Sequence, residues 1–255
     1  MFIEERHKSI LAALQLKMRM SLPDLQALVN ASSATVRRDL ELLEQQGRIV
    51  RVRGGAMHPD YLGAEPTFTE KSNEAVVEKA HIAVHAAGLI TPGASVFIDA
   101  GTTCLEVGRR LLQRKDLTLF TNSIPLASLG GNGGARMICI GGEVRDVSRA
   151  LVGALSLNWL RHVHFDFAIL GASGLSSKDG AMTTELSEAA IKQQLFQRSA
   201  VSILAADSGK WNKFHSTCFA PWPEFRYWVT DSSIPPEAVE AVQRHGVEVE
   251  LAPSL

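Results

Sequence analysis

Apolar residues recur at helical spacing near the start of the chain. Ile10, Leu11 and Leu14 share one stripe of a helix predicted from about Glu4 to Leu16. After a connection at Lys17–Met20, Ser21 has the character of an N-cap, with Asp24 three residues on and Pro23 in the first turn. Leu22, Leu25, Leu28 and Val29 give this second helix its apolar face. Asn30 and Ala31 make a turn, and Ser32 caps a third helix with Val36, Leu40 and Leu43 on one stripe, ended by Gly47. Ile49 to Arg53 alternates as a short strand does, and Gly54-Gly55 turns the chain.

Residues 57–73 hold two prolines and little periodicity, and read as a linker. From Glu74 the pattern switches to helix alternating with buried strand. Helices are expected at Glu74–Leu89, Thr103–Gln113, Pro125–Leu129, Leu151–Arg161, Glu185–Arg198 and Pro236–Arg244. Strands are expected at Ser95–Ile98, Leu117–Thr121, Arg136–Ile140, Phe165–Leu170, Val201–Ala206, Arg226–Thr230 and Val247–Glu250. Such alternation implies βαβ units and a mostly parallel sheet, hence an α/β body behind a small helical head.

Composition narrows the class. The chain has 255 residues, 45% of them hydrophobic, which excludes a disordered polymer. No apolar run approaches the ~18 residues of a membrane helix, and MFIEERHKSI carries charges where an export signal needs apolar residues. Cys104, Cys139 and Cys218 are far apart and form no CxxC pair, so neither a disulfide framework nor a metal site is expected. No cofactor motif is present, and a soluble cytoplasmic protein is the expectation. Net charge is −1, unevenly distributed: residues 1–56 hold 9 Lys/Arg against 6 Asp/Glu (+3), the rest 17 against 21 (−4). A mildly basic head on an acidic body is compatible with a DNA-binding module.

Three short helices followed by a basic hairpin outline a winged helix-turn-helix. On the third helix Arg38 points away from the apolar stripe, with Arg37 and Thr35 on its flanks. Recognition helices place such N-terminal residues at base edges, where Arg pairs with guanine. Ser32, Ser33 and Thr35 are short donors for phosphates or base edges, and Arg51 and Arg53 lie on the wing. Two adjacent arginines alone would read as a solvated helix face; the capped helix, turn, capped helix and basic hairpin around them favour DNA.

These residues resemble the DeoR family of bacterial transcription regulators. Its signature places an Arg, aliphatics four and eight residues on, a gap, a small residue, then T-hydrophobic-R-x-D-hydrophobic. Arg6, Ile10, Leu14, Ser32 and Thr35-Val36-Arg37-Arg38-Asp39-Leu40 stand at every position. The resemblance implies that Asp39 braces the helix rather than touching DNA.

In the body, Asp99-Ala100-Gly101-Thr102-Thr103 runs from strand into helix. The glycine allows close approach, and hydroxyls with free helix N–H groups make an anion site; capped turns without ligand also look like this. Thr121-Asn122-Ser123 follows the next strand, and Gly141-Gly142 with Arg145 the third. Ligands of open α/β sheets sit beyond the carboxyl ends of the strands, so these loops together favour one phosphorylated ligand. Later strands end in Gly171-Ala172-Ser173-Gly174 and Asp207-Ser208-Gly209-Lys210, and Thr183-Thr184-Glu185 opens a helix. Lys210 suits a phosphate, while Glu185 or Asp99 suits sugar hydroxyls. Glu188 reads as a solvated helix face.

The DeoR resemblance extends over these loops and nearly the whole chain. It implies an effector domain similar in fold to ribose-5-phosphate isomerase and coenzyme A transferases, binding a phosphorylated sugar or related metabolite. Two departures stand out: Ser173 where many relatives carry Asp, and Gly209 where relatives often carry Ser. The missing carboxylate weakens any isomerase mechanism needing a base there. Cys104 reads as a thiol of lowered pKa or, more commonly, a small core residue. His162 and His164 lack a further metal ligand, and Trp211, Trp222 and Trp228 are expected to pack the body or a dimer surface.

The expected organisation is a DNA-binding head (1–56), a linker (57–73) and an effector domain (74–255). The expected function is regulation, as a repressor, of a carbohydrate-metabolism operon under a phosphorylated effector. Its partners would be a double-stranded operator and further copies of the chain, as homodimer or homotetramer, with no membrane. The competing readings are a sugar-phosphate isomerase with an appended head, and a scaffold whose head binds protein.

Overall fold

Ser21 and Ser32 start two of the head's helices in the computed structural model. This structure describes residues 2–253 apart from Met18, Arg53, residues 59–64 and Asn132, and the backbone alone of Arg19. The chain divides into two units, Met1–Glu65 and Pro66–Leu255.

The first unit contains α1 (Ile3–Lys17), β1 (Arg19–Ser21), α2 (Leu22–Val29), α3 (Ser33–Gln45), β2 (Val50–Val52) and β3 (Gly55–Met57). Ser21 Oγ accepts from the Asp24 N–H at 3.3 Å and donates to the Asp24 carboxylate at 2.6 Å. Asn30 ends α2 in the left-handed conformation that short polar side chains tolerate. Ile10, Leu14, Leu25, Val29, Val36, Leu40 and Leu43 meet in one buried cluster, as their spacing predicts. The stretch expected as a plain connection before Ser21 is instead a strand, pairing Met20 with Ala56 and Ser21 with Gly55. That pairing is non-local and leaves no pattern in three residues. It needs Gly55, where a Cβ would fall 2.1 Å from the Met20 carbonyl oxygen.

The second unit opens with α4 (Phe68–Ser72), inside the stretch expected as linker. Thr67 and Glu70 form a capping box, and Phe68 is buried. The Phe68 N–H donates to the Val147 carbonyl at 2.7 Å, and the Arg149 guanidinium lies 5.8 Å from the Phe68 ring centre. At the other end, buried Lys79 donates to the carbonyls of Lys71 and Glu74. A helix this short is held by such contacts, so its sequence carries no periodicity to read.

Then follow α5 (Val76–Gly88), β4 (Ser95–Ile98), α6 (Thr102–Leu111), β5 (Thr118–Thr121), α7 (Ile124–Ala127), β6 (Arg136–Cys139), β7 (Glu143–Arg145), β8 (Ala150–Val152), α8 (Ala154–Leu160) and β9 (Phe165–Leu170). The chain continues through β10 (Gly174–Ser176), β11 (Gly180–Thr183), α9 (Leu186–Phe196), β12 (Ser199–Ala205), β13 (Thr217–Ala220), β14 (Tyr227–Asp231), α10 (Pro236–Gln243) and β15 (Glu248–Ala252). The helix expected over Leu151–Arg161 is shorter, because Ala150–Val152 pairs with β7 and Gly153, at φ 90°, separates strand from helix.

The main sheet has the order β15-β14-β12-β9-β4-β5-β6 and is parallel throughout. Side chains alternate between its faces: Phe97, Ala168 and Leu204 join one buried cluster, while Val96, Ile98, Ile169 and Ile203 join the other. Residues of α5, α6 and α7 pack in the second cluster and those of α8, α9 and α10 in the first, so both faces are covered. A smaller antiparallel sheet, β10-β11-β13, was not visible as strands in the sequence. Trp211, Trp222 and Trp228 pack together in the body, with Trp222 and Trp228 fully buried.

Chain order runs outward from β4 through β5 to β6, then resumes at β9 on β4's other side. The switch point of the sheet therefore lies between β4 and β9, where open α/β sheets form their ligand crevice.

Candidate functional site

Two surfaces carry the chemistry, one in each unit. In the head, the Ser32 side chain caps α3 by accepting from the Thr35 N–H at 3.3 Å, and its hydroxyl lies 2.9 Å from that of Thr35. Arg37 and Arg38 are exposed, and their side chains form no ion pair or hydrogen bond among the described residues. Ser33 and Thr35 are half-buried beside them. The next residue, Asp39, is 2% exposed and takes the Arg6 guanidinium on both carboxylate oxygens, at 2.8 and 3.0 Å, with His7 at 3.2 Å. Burial alone would raise the Asp39 carboxyl; Arg6 and His7 reverse that and hold it below the usual carboxylate value. Arg51 is exposed on β2 and lies 3.7 Å from Glu44, which also accepts its backbone N–H. Arg53, expected as a wing contact, falls outside the described residues.

In the body, Gly101 enters α6 at φ 146°, a conformation open to glycine, and a Cβ there would meet nothing within 4 Å. No side chain caps α6, so the N–H groups of its first turn are left without a side-chain acceptor. Thr102 and Thr103 sit in that turn. Asp99, just before it, is 2% exposed. Its Oδ2 accepts from the Gly171 N–H at 3.1 Å and from the Lys192 ammonium, which also donates to the Gly171 carbonyl at 2.9 Å. Asp99 follows β4 and Gly171 follows β9, so this triad bridges the switch point.

Lys192 is the residue sequence reasoning missed. Burial raises Asp99 and opposes the charge on Lys192, but Asp99 and Glu188 prevail, and the ammonium is held above the ordinary lysine value. Glu188, expected on a solvated face, instead accepts from Arg145 at 3.0 Å and from the Thr183 hydroxyl at 3.2 Å. Donors on β7 and β11 hold it there. Glu185, expected to meet a ligand, commits Oε2 to capping α9 through the N–H groups of Ser187 (2.7 Å) and Glu188 (3.1 Å). Burial raises it, and these donors with Arg145 bring it below the usual value.

Thr121, Asn122 and Ser123 are buried and braced within the chain. Thr121 donates to the Ile98 carbonyl at 2.7 Å, Asn122 accepts from the Ala100 N–H at 2.9 Å, and Ser123 caps α7. These groups hold the α6 entry in place. Gly142 is required, since a Cβ would meet Ser156 Oγ at 2.1 Å; Gly141 has open space around it. Lys210 lies outside this network. Burial lowers its pKa, Asp207 opposes that, and Lys213 and Lys71 add to the lowering. Lys79 shares the cluster, lowered by burial and by Lys210. The loop is held by Asp231, which accepts from the Ser208 N–H and hydroxyl, both at 2.7 Å. Ser173 has its carbonyl 3.1 Å from the His215 ring. Cys104 is fully buried with its thiol pushed far up, so the reading as a reactive thiolate is corrected: burial and Asp99 both disfavour charge.

Among the described residues no group of side chains with metal-ligand character is found. Among the described residues no helix is long and apolar enough to cross a membrane.

Comparison with known proteins matches the DeoR-like helix-turn-helix domain to residues 6–61 and the DeoR C-terminal sensor domain to residues 74–232. The chain is 32% identical over 249 residues to the uncharacterized HTH-type transcriptional regulator YgbI of Escherichia coli K12, covering 97% of each. It is 28% identical over 248 residues to the glycerol-3-phosphate regulon repressor of the same strain, covering 97% of this chain and 98% of that one. Among solved structures, ribose 5-phosphate isomerase A of Methanocaldococcus jannaschii overlaps 52% of this chain and 53% of its own, at 14% identity and a TM-score of 0.39.

Proposed function

This chain belongs to the DeoR family, and from that premise we propose that it is a transcriptional repressor of a carbohydrate-metabolism operon, released or recruited by a phosphorylated sugar or related metabolite. Residues 1–56 bind the operator and residues 74–255 bind the effector, with α4, inside the expected linker, built into the second unit. In the head, Ser32, Ser33, Thr35, Arg37, Arg38 and Arg51 face DNA. In the body, the N-terminus of α6 with Gly101, Thr102 and Thr103 takes the phosphate, Asp99 takes a hydroxyl, and Gly141 lines the same crevice. The protein works in the cytoplasm as a homodimer or homotetramer, pairing its heads on paired half-sites.

One observation carries the effector reading: an uncapped helix N-terminus and a buried carboxylate meet at the switch point of a parallel sheet. The protein binds its effector without turning it over. The loop after β9 carries Ser173, which weakens any isomerase mechanism that would use a carboxylate base there.

Thermal unfolding with a panel of phosphorylated sugars, polyols and sugar acids tests this. A ligand at 100 times its Kd stabilises by about 2.7 kcal/mol, a rise of roughly 2–4 °C in Tm. A panel without effect, or turnover of any member, overturns the reading.

A further inference from the structure

Every hydrogen bond to the Asp99 side chain falls on one oxygen. The Gly171 N–H and the Lys192 ammonium both go to Oδ2, and among the described residues none reaches Oδ1. Lys192 is itself fixed: it donates to the Gly171 carbonyl at 2.9 Å and lies 5.1 Å from the centre of the Phe219 ring. It is 4% exposed and projects from α9, the helix opposite the loop it serves.

We infer that Lys192 is a positioning residue for effector recognition: by anchoring Oδ2 of Asp99 between the ends of β4 and β9, it leaves Oδ1 to accept a hydroxyl of the bound metabolite. The inference rests on the strand-end crevice being the effector site. Division of labour follows from the chemistry. Backbone N–H groups of α6 attract any phosphate-like anion. A carboxylate oxygen repels phosphate and rewards a hydroxyl donor two or three bonds along the same ligand. Lys192 therefore governs the preference for a phosphorylated polyol over inorganic phosphate, and leaves affinity for phosphate itself nearly untouched.

The test uses the full chain, with glycerol 3-phosphate, ribose 5-phosphate, fructose 6-phosphate and inorganic phosphate as probes. Calorimetric titration gives a Kd for each with the unaltered protein, Lys192→Met, Asp99→Asn and the double variant. The unaltered protein is expected to prefer at least one polyol phosphate over inorganic phosphate. Lys192→Met is expected to cut that preference by about tenfold to a hundredfold, the value of a charge-assisted hydrogen bond. In the Asp99→Asn background it is expected to cut nothing further, because the effect passes through Asp99. The double variant leaves no buried charge unpaired, so it folds even where Lys192→Met does not. A preference kept in Lys192→Met or in the double variant, or a loss equal for phosphate and polyol phosphate, overturns the inference and leaves the effector site standing. An unaltered protein with no preference over inorganic phosphate for any probe overturns both.

Discussion

Arg6 on α1 grips Asp39 on α3 with both ends of its guanidinium fork, at 2.8 and 3.0 Å. The helix carrying exposed Arg37 and Arg38 is thus tied to the first helix by a pair at its own midpoint. Replacing Asp39 by Asn is expected to destabilise the head by about 1–3 kcal/mol, as loss of a charged hydrogen-bond partner does. Chemical denaturation of the full chain, followed by circular dichroism, reads it.

The same pair sets an acid limit. Asp39 is held below its ordinary value, so its contribution is present above the unfolded carboxyl pKa of about 3.9 and fades as pH falls through the lower folded value. The Asp39→Asn variant is expected to lose less stability than the unaltered protein between pH 5 and the acid transition. Equal losses would show that other carboxylates carry the effect.

Arg37→Ala and Arg38→Ala are expected to leave stability within about 0.5 kcal/mol, because both side chains are exposed. If either meets a base, operator affinity falls by about 1–3 kcal/mol; a phosphate contact instead lowers the salt slope by about one. Fluorescence anisotropy on a DNA fragment selected by the protein from a random pool distinguishes them. Unchanged binding in both variants removes α3 as the reading helix.

Gly101→Ala is expected to cost about 1–3 kcal/mol, since φ 146° is closed to a side chain. The added Cβ meets no atom, so the cost is backbone strain. Phosphate affinity should fall as the α6 entry relaxes. Thermal unfolding with and without phosphate measures both.

Cys139 and Cys218 are exposed, while Cys104 is buried with its thiol kept protonated. A thiol-reactive chromophore at mild alkaline pH is expected to titrate Cys139 and Cys218 in the native protein and Cys104 only after unfolding. Rapid native labelling of Cys104 would mean that the α6 entry opens.

Much of this organisation was legible in the chain. The capped helices of the head announce themselves through Ser21 and Ser32, and the parallel strands through runs such as Phe165–Leu170. Strands β10, β11 and β13 were not, because Gly174–Ser176 and Gly180–Thr183 are short hairpin strands of small residues, and β11 finds its other partner, β13, far along the chain. Lys192 and Lys79 were missed for a different reason. Each occupies a core-facing position of its helix, beside Ala189 and Leu195 or Ile82 and Ala86. A lysine within an apolar stripe is the signal that was available: such a charge stays only where a carboxylate or carbonyl waits for it. Thr121 and Asn122 show the converse, polar residues at a strand end whose atoms are spent on the neighbouring backbone.

The five residues of α4 are moored at two points. Its first N–H is tied to Val147, in the turn of the hairpin that bears Arg145; its Lys71 carbonyl, and that of Glu74 just beyond it, are tied to Lys79, beside Lys210. A segment too short to stay helical alone exists only while both moorings hold. It therefore acts as a coincidence detector in the thermodynamic sense: slackening either tether melts the same turn. That turn is the first structure the chain meets on leaving residue 65.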